Sequence, residues 1–292
     1  MKVWVEATEG DLPVRLDRFL ERSFEQLPSR ASARKAIKRG EVHLNSAPAE
    51  SSRFIRAGDR VELLASRRRP QRYDLDLEML FEDDHVAIGY KPAGIETSGA
   101  RQRTFEHALP GNLRPSPRPD ALIQPRVAHR LDFQTQGLVV CGKTASAHMA
   151  LGRAFQARTV RKRYRAIVAG RLEGEGRVET PLDGRSALTR WAAIGHTPSL
   201  HIGWQTTVDL WPETGRTHQL RRHMAELGHS VLGDTVYCPE DQKLLRGQGL
   251  FLAALGLELE HPVTAEPLCI EADEPYRFVS FRVREARRAG AS

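Results

Sequence analysis

Apolar and polar residues alternate in short runs over most of this chain, and a few runs repeat with helical spacing. Near the N-terminus, Val3 and Val5 predict a strand, because side chains two positions apart share one face of a strand. Leu16, Phe19 and Leu20 fall on one face of a predicted helix. The first part of the chain therefore combines a strand with an amphipathic helix.

A second helix is predicted from Ala31 to about Arg39. Ser29 is a suitable N-cap for it, and Gly40 is a suitable residue just past its C-terminus. Beyond it, residues 42–46 predict a strand and a turn, and residues 61–64 predict another strand. We expect these elements to form a small domain over residues 1–66.

The rest of the chain is rich in predicted strands that are not regularly separated by helices, which indicates an α+β domain and not a doubly wound sheet. Further predicted strands lie near residues 86–88, 137–140, 164–168 and 207–210, and helices near 145–157 and 216–227. A basic linker is predicted at 67–75, a second domain at 76–285, a surface loop at 110–126 and a frayed tail at 286–292.

The 292 residues carry a formal net charge of +7, which suits a polyanionic partner. Residues 143–171 contain eight Lys or Arg and no Asp or Glu. Such a one-sided run indicates an electrostatic contact surface more often than a solvated face. The three cysteines are far apart and contain no C-x-x-C pair, so neither a disulfide framework nor a zinc site is expected. With no signal peptide and no apolar run of membrane length, we expect a cytoplasmic protein without membrane association.

The most informative stretch is residues 129–138, His-Arg-Leu-Asp-Phe-Gln-Thr-Gln-Gly-Leu. Asp132 follows Arg130 by two positions, and a carboxylate beside a fixed positive charge stays ionised. An ionised carboxylate can act as a nucleophile or a general base. Taken alone, an H-x-x-D pattern is weak, because most such carboxylates are helix caps or surface ion pairs.

The ten-residue stretch resembles the H-R-L-D-x-x-T-S-G-L motif of the RluA-type RNA pseudouridine synthases, with Gln136 in place of the serine. Lys162 and Tyr164 begin a stretch similar to the family's K-x-Y-x-A-x-V-x-G. Residues 214–223 resemble T-G-R-x-H-Q-[IL]-R-x-H. Weaker matches occur at residues 90–95 and 228–237, where we expect structural turns.

The resemblance implies a mixed, mostly antiparallel sheet with a central cleft. Asp132 would be the essential aspartate, attacking the ribose or the base, or otherwise assisting glycosidic cleavage. Tyr164 would stack on the uracil ring and help to remove a proton, and Arg221 would form a buried ion pair with Asp132. Arg130 would reach the RNA backbone, fill the space left by the extruded base or form a local ion pair.

No cofactor is expected, because the isomerisation needs none and the chain has no P-loop or G-x-G-x-x-G sequence. His218 and His223 are five positions apart, which does not place both on one helix face as metal ligands. We therefore reject a metal site there. Arg216 and His218 are expected to support a loop or contact RNA.

The second predicted helix carries five basic residues, and three of them share one face at four-residue spacing. The face is either a solvated surface or a phosphate-binding surface. Residues 13–64 are similar to the αL RNA-binding domain, which favours phosphate binding. The candidate RNA-binding residues are Arg30, Arg34, Lys35, Lys38 and Arg39 in this helix, with Arg130, Lys162 and Arg216 in the second domain.

The sequence therefore predicts an RNA pseudouridine synthase, an isomerase, that acts on structured RNA. Ribosomal RNA is the favoured substrate and transfer RNA stays open. The alternative is an RNA-binding or ribosome-assembly protein without catalysis. A monomer is the default expectation for the oligomeric state.

Overall fold

The computed structural model describes residues 3–11, 13–24, 26–27, 29–64, 72–239 and 247–290. Within them, the strands form a four-stranded sheet in the first 64 residues and a ten-stranded sheet that begins at Met79. In the small sheet the strands are β1 (Val3–Glu6), β2 (Val42–Leu44), β3 (Ala47–Pro48) and β4 (Arg60–Leu63), in the order β1-β4-β2-β3.

Helices α1 (Leu16–Ser23) and α2 (Arg30–Lys38) pack on the small sheet around an apolar core of their own. The predicted face of α1 is correct, because Leu16, Phe19 and Leu20 are all buried. Ser29 is the N-cap of α2, as predicted: its Oγ accepts a hydrogen bond from the Ser32 amide at 3.2 Å. Gly40 follows the helix with a φ of 71°, a conformation that glycine adopts at little cost.

The large sheet has the order β10-β11-β12-β9-β13-β8-β6-β5, with β14 beside β13 and β7 beside β8. Its strands are β5 (Met79–Glu82), β6 (Val86–Lys91), β7 (Ala121–Val127), β8 (Gln136–Thr144), β9 (Arg161–Ala169), β10 (Glu175–Val178), β11 (Thr189–Ser199), β12 (Gly203–Pro212), β13 (Leu252–Glu260) and β14 (Pro267–Glu271). The accompanying helices are α3 (Phe105–Asn112), α4 (Ala145–Ala157), α5 (Gln219–Glu226) and α6 (Tyr276–Gly290). None of the described helices is long and apolar enough to cross a membrane.

The pairings of the large sheet are antiparallel except between β8 and β13, which run parallel. The predicted α+β fold with a mostly antiparallel sheet is therefore confirmed. Strand β8 is covered on both faces, and its residues 137–144 are all buried. Along β8, Val139 and Cys141 belong to one core cluster, whereas Leu138 and Val140 pack against α4 in another.

The four strands predicted in this domain and the helix at 145–157 are correct, whereas α5 begins at Gln219 and not at residue 216. The predicted loop at 110–126 is correct only over residues 113–120, because α3 continues to Asn112 and residues 121–127 form β7. The predicted frayed tail is also wrong up to Gly290, since α6 runs to that residue; residues 291–292 lie outside the described part.

Most of the predicted linker, residues 67–71, also lies outside the described part of the chain. The linker's last residues lie beside α3 and are hydrogen-bonded to it. The Tyr73 amide donates to the His107 carbonyl at 2.9 Å, and the Asn112 amide donates to the Leu75 carbonyl at 2.8 Å. Residues 73–75 are therefore packed against the second sheet's domain.

The parallel junction between β8 and β13 generates a test of the fold. Gly137 lies opposite Ala254 with a φ of 123°, and a Cβ at position 137 would come within 2.1 Å of the Ala254 carbonyl oxygen. We expect Gly137→Ala to lower the free energy of unfolding by about 3 kcal/mol or more, because overpacking and backbone strain act together.

Gly152 in α4 provides a matched control, because a Cβ there would meet nothing within 4 Å. Gly152→Ala should stabilise the protein by about 1 kcal/mol through helix propensity. Urea unfolding of both variants measures the difference. Equal stability of Gly137→Ala and the parent would contradict the close approach of the two strands.

Candidate active site

Asp132 lies in the segment between β7 and β8, and its neighbours hold this segment in place. The Leu131 amide donates to Thr97 Oγ1 at 3.0 Å, and Thr97 Oγ1 donates back to the Leu131 carbonyl at 2.8 Å. The Gly94 amide donates to the Phe133 carbonyl at 2.8 Å. Hydrogen bonds on both sides of Asp132 therefore fix the backbone that carries its carboxylate.

The three residues expected to be catalytic line one cleft of about 470 Å³. Asp132 contributes from the loop before β8, Tyr164 from β9 and Arg221 from α5. The cleft is also lined by three of the candidate RNA-binding residues, Arg130, Lys162 and Arg216. Residues far apart in sequence thus form one concave site with a carboxylate, an aromatic ring and several cations.

The expected ion pair between Arg221 and Asp132 is present, but it is long and Asp132 is only partly buried. Arg221 Nη1 is 3.8 Å from Asp132 Oδ2, which is a charge contact and longer than a hydrogen bond. The close partner of Arg221 is Asp234, which accepts from Nε at 2.6 Å and from Nη2 at 2.8 Å. Two parallel hydrogen bonds orient a guanidinium well, so Asp234 sets the position from which Arg221 faces Asp132.

Asp234 is a site residue that the sequence analysis assigned only to a structural turn. Its side chain is 1% exposed. Burial opposes its charge, but hydrogen bonds from Arg221 and from the amides of Val236 and Tyr237 lower the pKa of Asp234. The pair with Arg221 therefore stays ionised at neutral pH. The G-D-x-x-Y match at residues 233–237 was the available signal.

His218 is the second basic residue beside Asp132. Its Nε2 lies 3.9 Å from Asp132 Oδ1, and its Nδ1 lies 3.0 Å from the Tyr237 hydroxyl oxygen. His218 has a φ of 54°, a left-handed conformation that costs free energy for any residue but glycine. Such strain is typical of residues held for a site, and here it directs an imidazole towards the carboxylate. Two roles were expected for His218, loop support and RNA contact. Its contact with the Tyr237 hydroxyl fits loop support, and its position near Asp132 was not expected.

His223 has a different environment. It is fully buried, and its ring nitrogens contact Thr189 Oγ1 at 2.9 Å and the Thr180 carbonyl at 3.1 Å. His218 and His223 therefore point to different partners. Among the described residues, no cluster of three or more His, Cys, Asp or Glu side chains could hold a metal ion.

Tyr164 lies on the floor of the cleft and is 9% exposed. Burial, and secondarily the charge of Asp132, raise the pKa of Tyr164 well above its ordinary value. The phenol therefore keeps its proton at neutral pH. It presents an aromatic surface with a neutral hydroxyl to whatever enters the cleft.

His129, the first residue of the motif, supports the cleft from behind. Its ring stacks on Phe155 with centroids 4.7 Å apart, and its Nε2 accepts a hydrogen bond from the Val140 amide at 3.2 Å. Burial, with the charge of Lys162, lowers the pKa of His129 to about 3. A neutral imidazole is thus a packing and hydrogen-bonding element of the site.

Lys91 is a second residue whose importance the sequence analysis missed. It is fully buried, and its Nζ donates to the carbonyls of Pro92 and Ile95 at 2.9 Å each and of Phe133 at 3.4 Å. The side chain thereby joins the turn after β6 to the residue that follows Asp132. The K-P-A-G match was visible in the sequence, but these carbonyl contacts were not.

The cationic residues expected to contact RNA differ in their surroundings. In the second domain, Arg130 is exposed, Lys162 is half-buried, and Arg216 donates through Nε to the Ser186 carbonyl at 3.0 Å. Arg216 thus supports the loop, one of the two roles expected for it.

In α2, two of the expected phosphate-binding residues are already engaged by a carboxylate. Arg34 Nε is 2.7 Å and Arg30 Nη2 is 3.4 Å from Asp17 Oδ2, and Asp17 is fully buried. Burial opposes the charge of Asp17, but the hydrogen bond from Arg34 and the nearby arginines lower its pKa. The face predicted as a simple phosphate-binding surface is therefore partly an internal ion-pair network.

Of the other three basic residues in this segment, one is paired with a carboxylate and two are not. Arg39 pairs with Glu41 at 2.5 Å. In the part of the chain that the structure describes, Lys35 and Lys38 have no carboxylate within ion-pair distance. Among the five basic residues predicted to bind phosphate in this helix, these two lysines have uncompensated charge.

Comparison with known proteins gives a consistent result. The sequence profile of a family described as RNA pseudouridylate synthase matches residues 85–226. An uncharacterized RNA pseudouridine synthase of Aquifex aeolicus is 31% identical over 91% of this chain and 92% of its own length. Ribosomal large subunit pseudouridine synthase D of Nitrosomonas europaea is 32% identical over 90% of this chain and 81% of its own length.

Solved structures share the fold. Human RNA pseudouridylate synthase domain containing 1 superimposes with a TM-score of 0.57 at 23% identity, covering 69% of this chain and 84% of its own. Human RNA pseudouridylate synthase domain containing 4 gives a TM-score of 0.56 at 22% identity, over 72% and 93% of the two chains. At these identities the likeness establishes the architecture.

The environment of Lys91 generates a prediction about pH. Burial lowers the pKa of Lys91 from 10.5 to about 8, and the charge of Asp132 opposes this shift. Between these two values the unfolded chain holds a proton that the folded chain has lost, so this group makes folding more favourable as the pH rises. Relative to Lys91→Met, the parent protein should gain up to about 3 kcal/mol of unfolding free energy between pH 8 and 10.5.

Urea unfolding of both proteins at a series of pH values measures this difference. Below pH 8 the difference between the two proteins should be constant, because Lys91 is protonated in both states there. Parallel profiles up to pH 10.5 would contradict the lowered pKa.

Proposed function

We propose that this chain, which belongs to the RluA-type family of RNA pseudouridine synthases, converts selected uridines of large-subunit ribosomal RNA to pseudouridine. The observation that carries the proposal is the convergence of Asp132, Tyr164 and Arg221 in one cleft. A carboxylate, an aromatic surface and a fixed cation are the groups that this isomerisation of a flipped base needs.

The reaction breaks the bond between ribose C1′ and uracil N1 and forms one between C1′ and uracil C5. N1 gains a proton and C5 loses one, so the reaction needs no oxidant and no external group. Asp132, whose side chain is 24% exposed, is accessible to a bound nucleotide. It attacks the ribose or the base, or assists glycosidic cleavage, with Arg221 Nη1 at 3.8 Å and His218 Nε2 at 3.9 Å from its carboxylate.

A uridine within structured RNA reaches this cleft by leaving its stack, at a cost of a few kcal/mol. The half-open cleft offers stacking on Tyr164, which offsets part of this cost. Arg130 is exposed two residues before Asp132, a position suited to the RNA backbone or to the space that the base vacates. Its alternative role as a local ion pair has no support among the described residues, where no carboxylate lies within ion-pair distance of Arg130.

The choice of ribosomal RNA rests on two considerations. Relatives from several bacteria carry the name ribosomal large subunit pseudouridine synthase D. The small N-terminal sheet with α1 and α2 is proposed as the αL-type RNA-binding domain, and the uncompensated charges of Lys35 and Lys38 support this role. Transfer RNA is the alternative substrate, and a cytoplasmic monomer is the form that we propose.

The central test replaces Asp132 by Asn, which keeps the size of the side chain and removes its charge. We expect tritium release from large-subunit ribosomal RNA labelled at uracil C5 to fall by about 10³-fold or more, since a lost nucleophile or base has effects of at least this order. RNA binding should change little. Asp183→Asn is the matched control, because Asp183 is exposed and pairs with Arg222 outside the cleft.

The outcomes separate the hypotheses. Release by the parent and by Asp183→Asn, but not by Asp132→Asn, supports the proposal. Release from transfer RNA alone would show that the protein is a pseudouridine synthase whose substrate is transfer RNA and not ribosomal RNA. Binding of ribosomal RNA without release from any RNA would favour the RNA-binding or assembly protein, and substantial turnover by Asp132→Asn would remove that residue from its role.

A second test concerns the hydroxyl of Tyr164. Tyr164→Phe keeps the ring, so we expect RNA affinity to be unchanged and the turnover rate to fall by about 10²-fold, the usual size of a lost proton-transfer group. Rapid-quench measurement of tritium release under single-turnover conditions gives the rate. An unchanged rate would leave Tyr164 with stacking alone.

A further inference from the structure

A second groove of about 700 Å³ adjoins the catalytic cleft along β9, β12 and β13. The two cavities share a rim made of five residues: Arg158, Val160, Lys162, Pro212 and Glu213. A polymer whose one unit enters the cleft therefore has a continuous concave path beside it.

Arg158 occupies an unusual backbone position on this rim. It follows α4 with φ 61° and ψ 29°, and its amide donates to the carbonyls of Ala154 and Phe155. Glycine is the usual residue in this left-handed position at a helix C-terminus, because a Cβ is unfavourable there. The chain thus has a long cationic side chain at a position where the backbone conformation favours glycine, which has no side chain.

The acidic residues of the second groove do not neutralise this rim. Each of them pairs with an arginine of the same groove: Glu213 with Arg190 at 3.0 Å, Glu258 with Arg161 at 3.8 Å and Glu271 with Arg163 at 3.1 Å. Among the described residues, neither Arg158 nor Lys162 has a carboxylate within ion-pair distance. Two cations are thus left without compensation on a concave surface.

The two cations are also close enough to affect each other. Burial and the charge of Arg158 both lower the pKa of Lys162. Like charges held together cost free energy unless an anion joins them. A bridging anion would remove this repulsion.

We propose that Arg158 and Lys162 form a phosphate subsite that binds a phosphodiester of the RNA strand next to the target uridine, and that this strand continues into the second groove. The inference rests on the proposed function for the identity of the strand. A phosphodiester fits because it is an anion repeated at each nucleotide, so one lies on the rim when a neighbouring base lies in the cleft.

The test measures binding of unmodified large-subunit ribosomal RNA, transcribed in vitro, over a range of KCl concentrations. Arg158→Gly suits the left-handed backbone and removes the cation. We expect its dissociation constant to rise about fivefold to tenfold at 0.1 M KCl. The slope of log K against log salt should become shallower by about 0.7 to 1, the loss of one phosphate contact.

Two further variants make the result specific. Arg158→Lys keeps the charge and should keep the parent's salt slope. Arg153→Ala removes an exposed cation from the same helix, but outside both cavities, and should leave slope and activity unchanged. The thermal midpoint of Arg158→Gly should not fall, which separates lost binding from lost folding.

An Arg158→Gly slope equal to the parent's, or equal losses in Arg158→Gly and Arg153→Ala, would overturn the subsite. Tritium release by the parent is measured on the same RNA. RNA binding without tritium release would contradict the proposed function. In that case the salt slopes of the variants would still test the phosphate subsite. A parent that binds neither ribosomal nor transfer RNA would defeat both.

Discussion

The buried pair of Arg221 and Asp234 is the interaction on which the geometry of the site depends. Both side chains are almost fully buried, and two short hydrogen bonds join them. Removing one partner of such a pair leaves an uncompensated buried charge, at a cost of about 3 to 5 kcal/mol. Because Asp234 also accepts hydrogen bonds from Val236 and Tyr237, the same carboxylate positions the ring that contacts His218. Arg221 and His218, which both lie beside Asp132, are thus placed through one residue.

Burial divides the titratable groups around the cleft into charged and neutral ones. His129 and Tyr164 are neutral at neutral pH, because low polarity disfavours their charged forms and neither has a compensating partner. Arg221 keeps its charge through Asp234, although burial opposes it. A neutral aromatic surface is suited to an uncharged uracil, whereas charged side chains line other parts of the cleft.

Sequence patterns predicted the parts of the structure that depend on local spacing. The N-cap of α2 is an example. The shared cleft of Asp132, Tyr164 and Arg221 joins distant segments, and it was predicted from the resemblance to family motifs and not from local spacing. The predicted loop failed at β7 because this strand contains Pro125 and pairs with β8 only at its ends. The predicted tail failed because α6 continues past Glu285, which is buried and accepts a 2.7 Å hydrogen bond from Ser199 Oγ. Such partners lie far away in sequence, so spacing cannot reveal them.

The same limit applies to charge, and it bears on how this protein recognises a polyanion. A helix with five basic residues suggests a uniform phosphate-binding face, yet Asp17 neutralises part of it from below. A cation that already has a carboxylate partner must exchange it for a phosphate, which reduces the net gain, whereas an unpaired cation gives up no ion pair on binding. Among the described residues, Lys35 and Lys38 in one sheet's domain and Arg130, Arg158 and Lys162 in the other are unpaired in this sense. Affinity for RNA should therefore depend on these few positions more than on the net charge of +7.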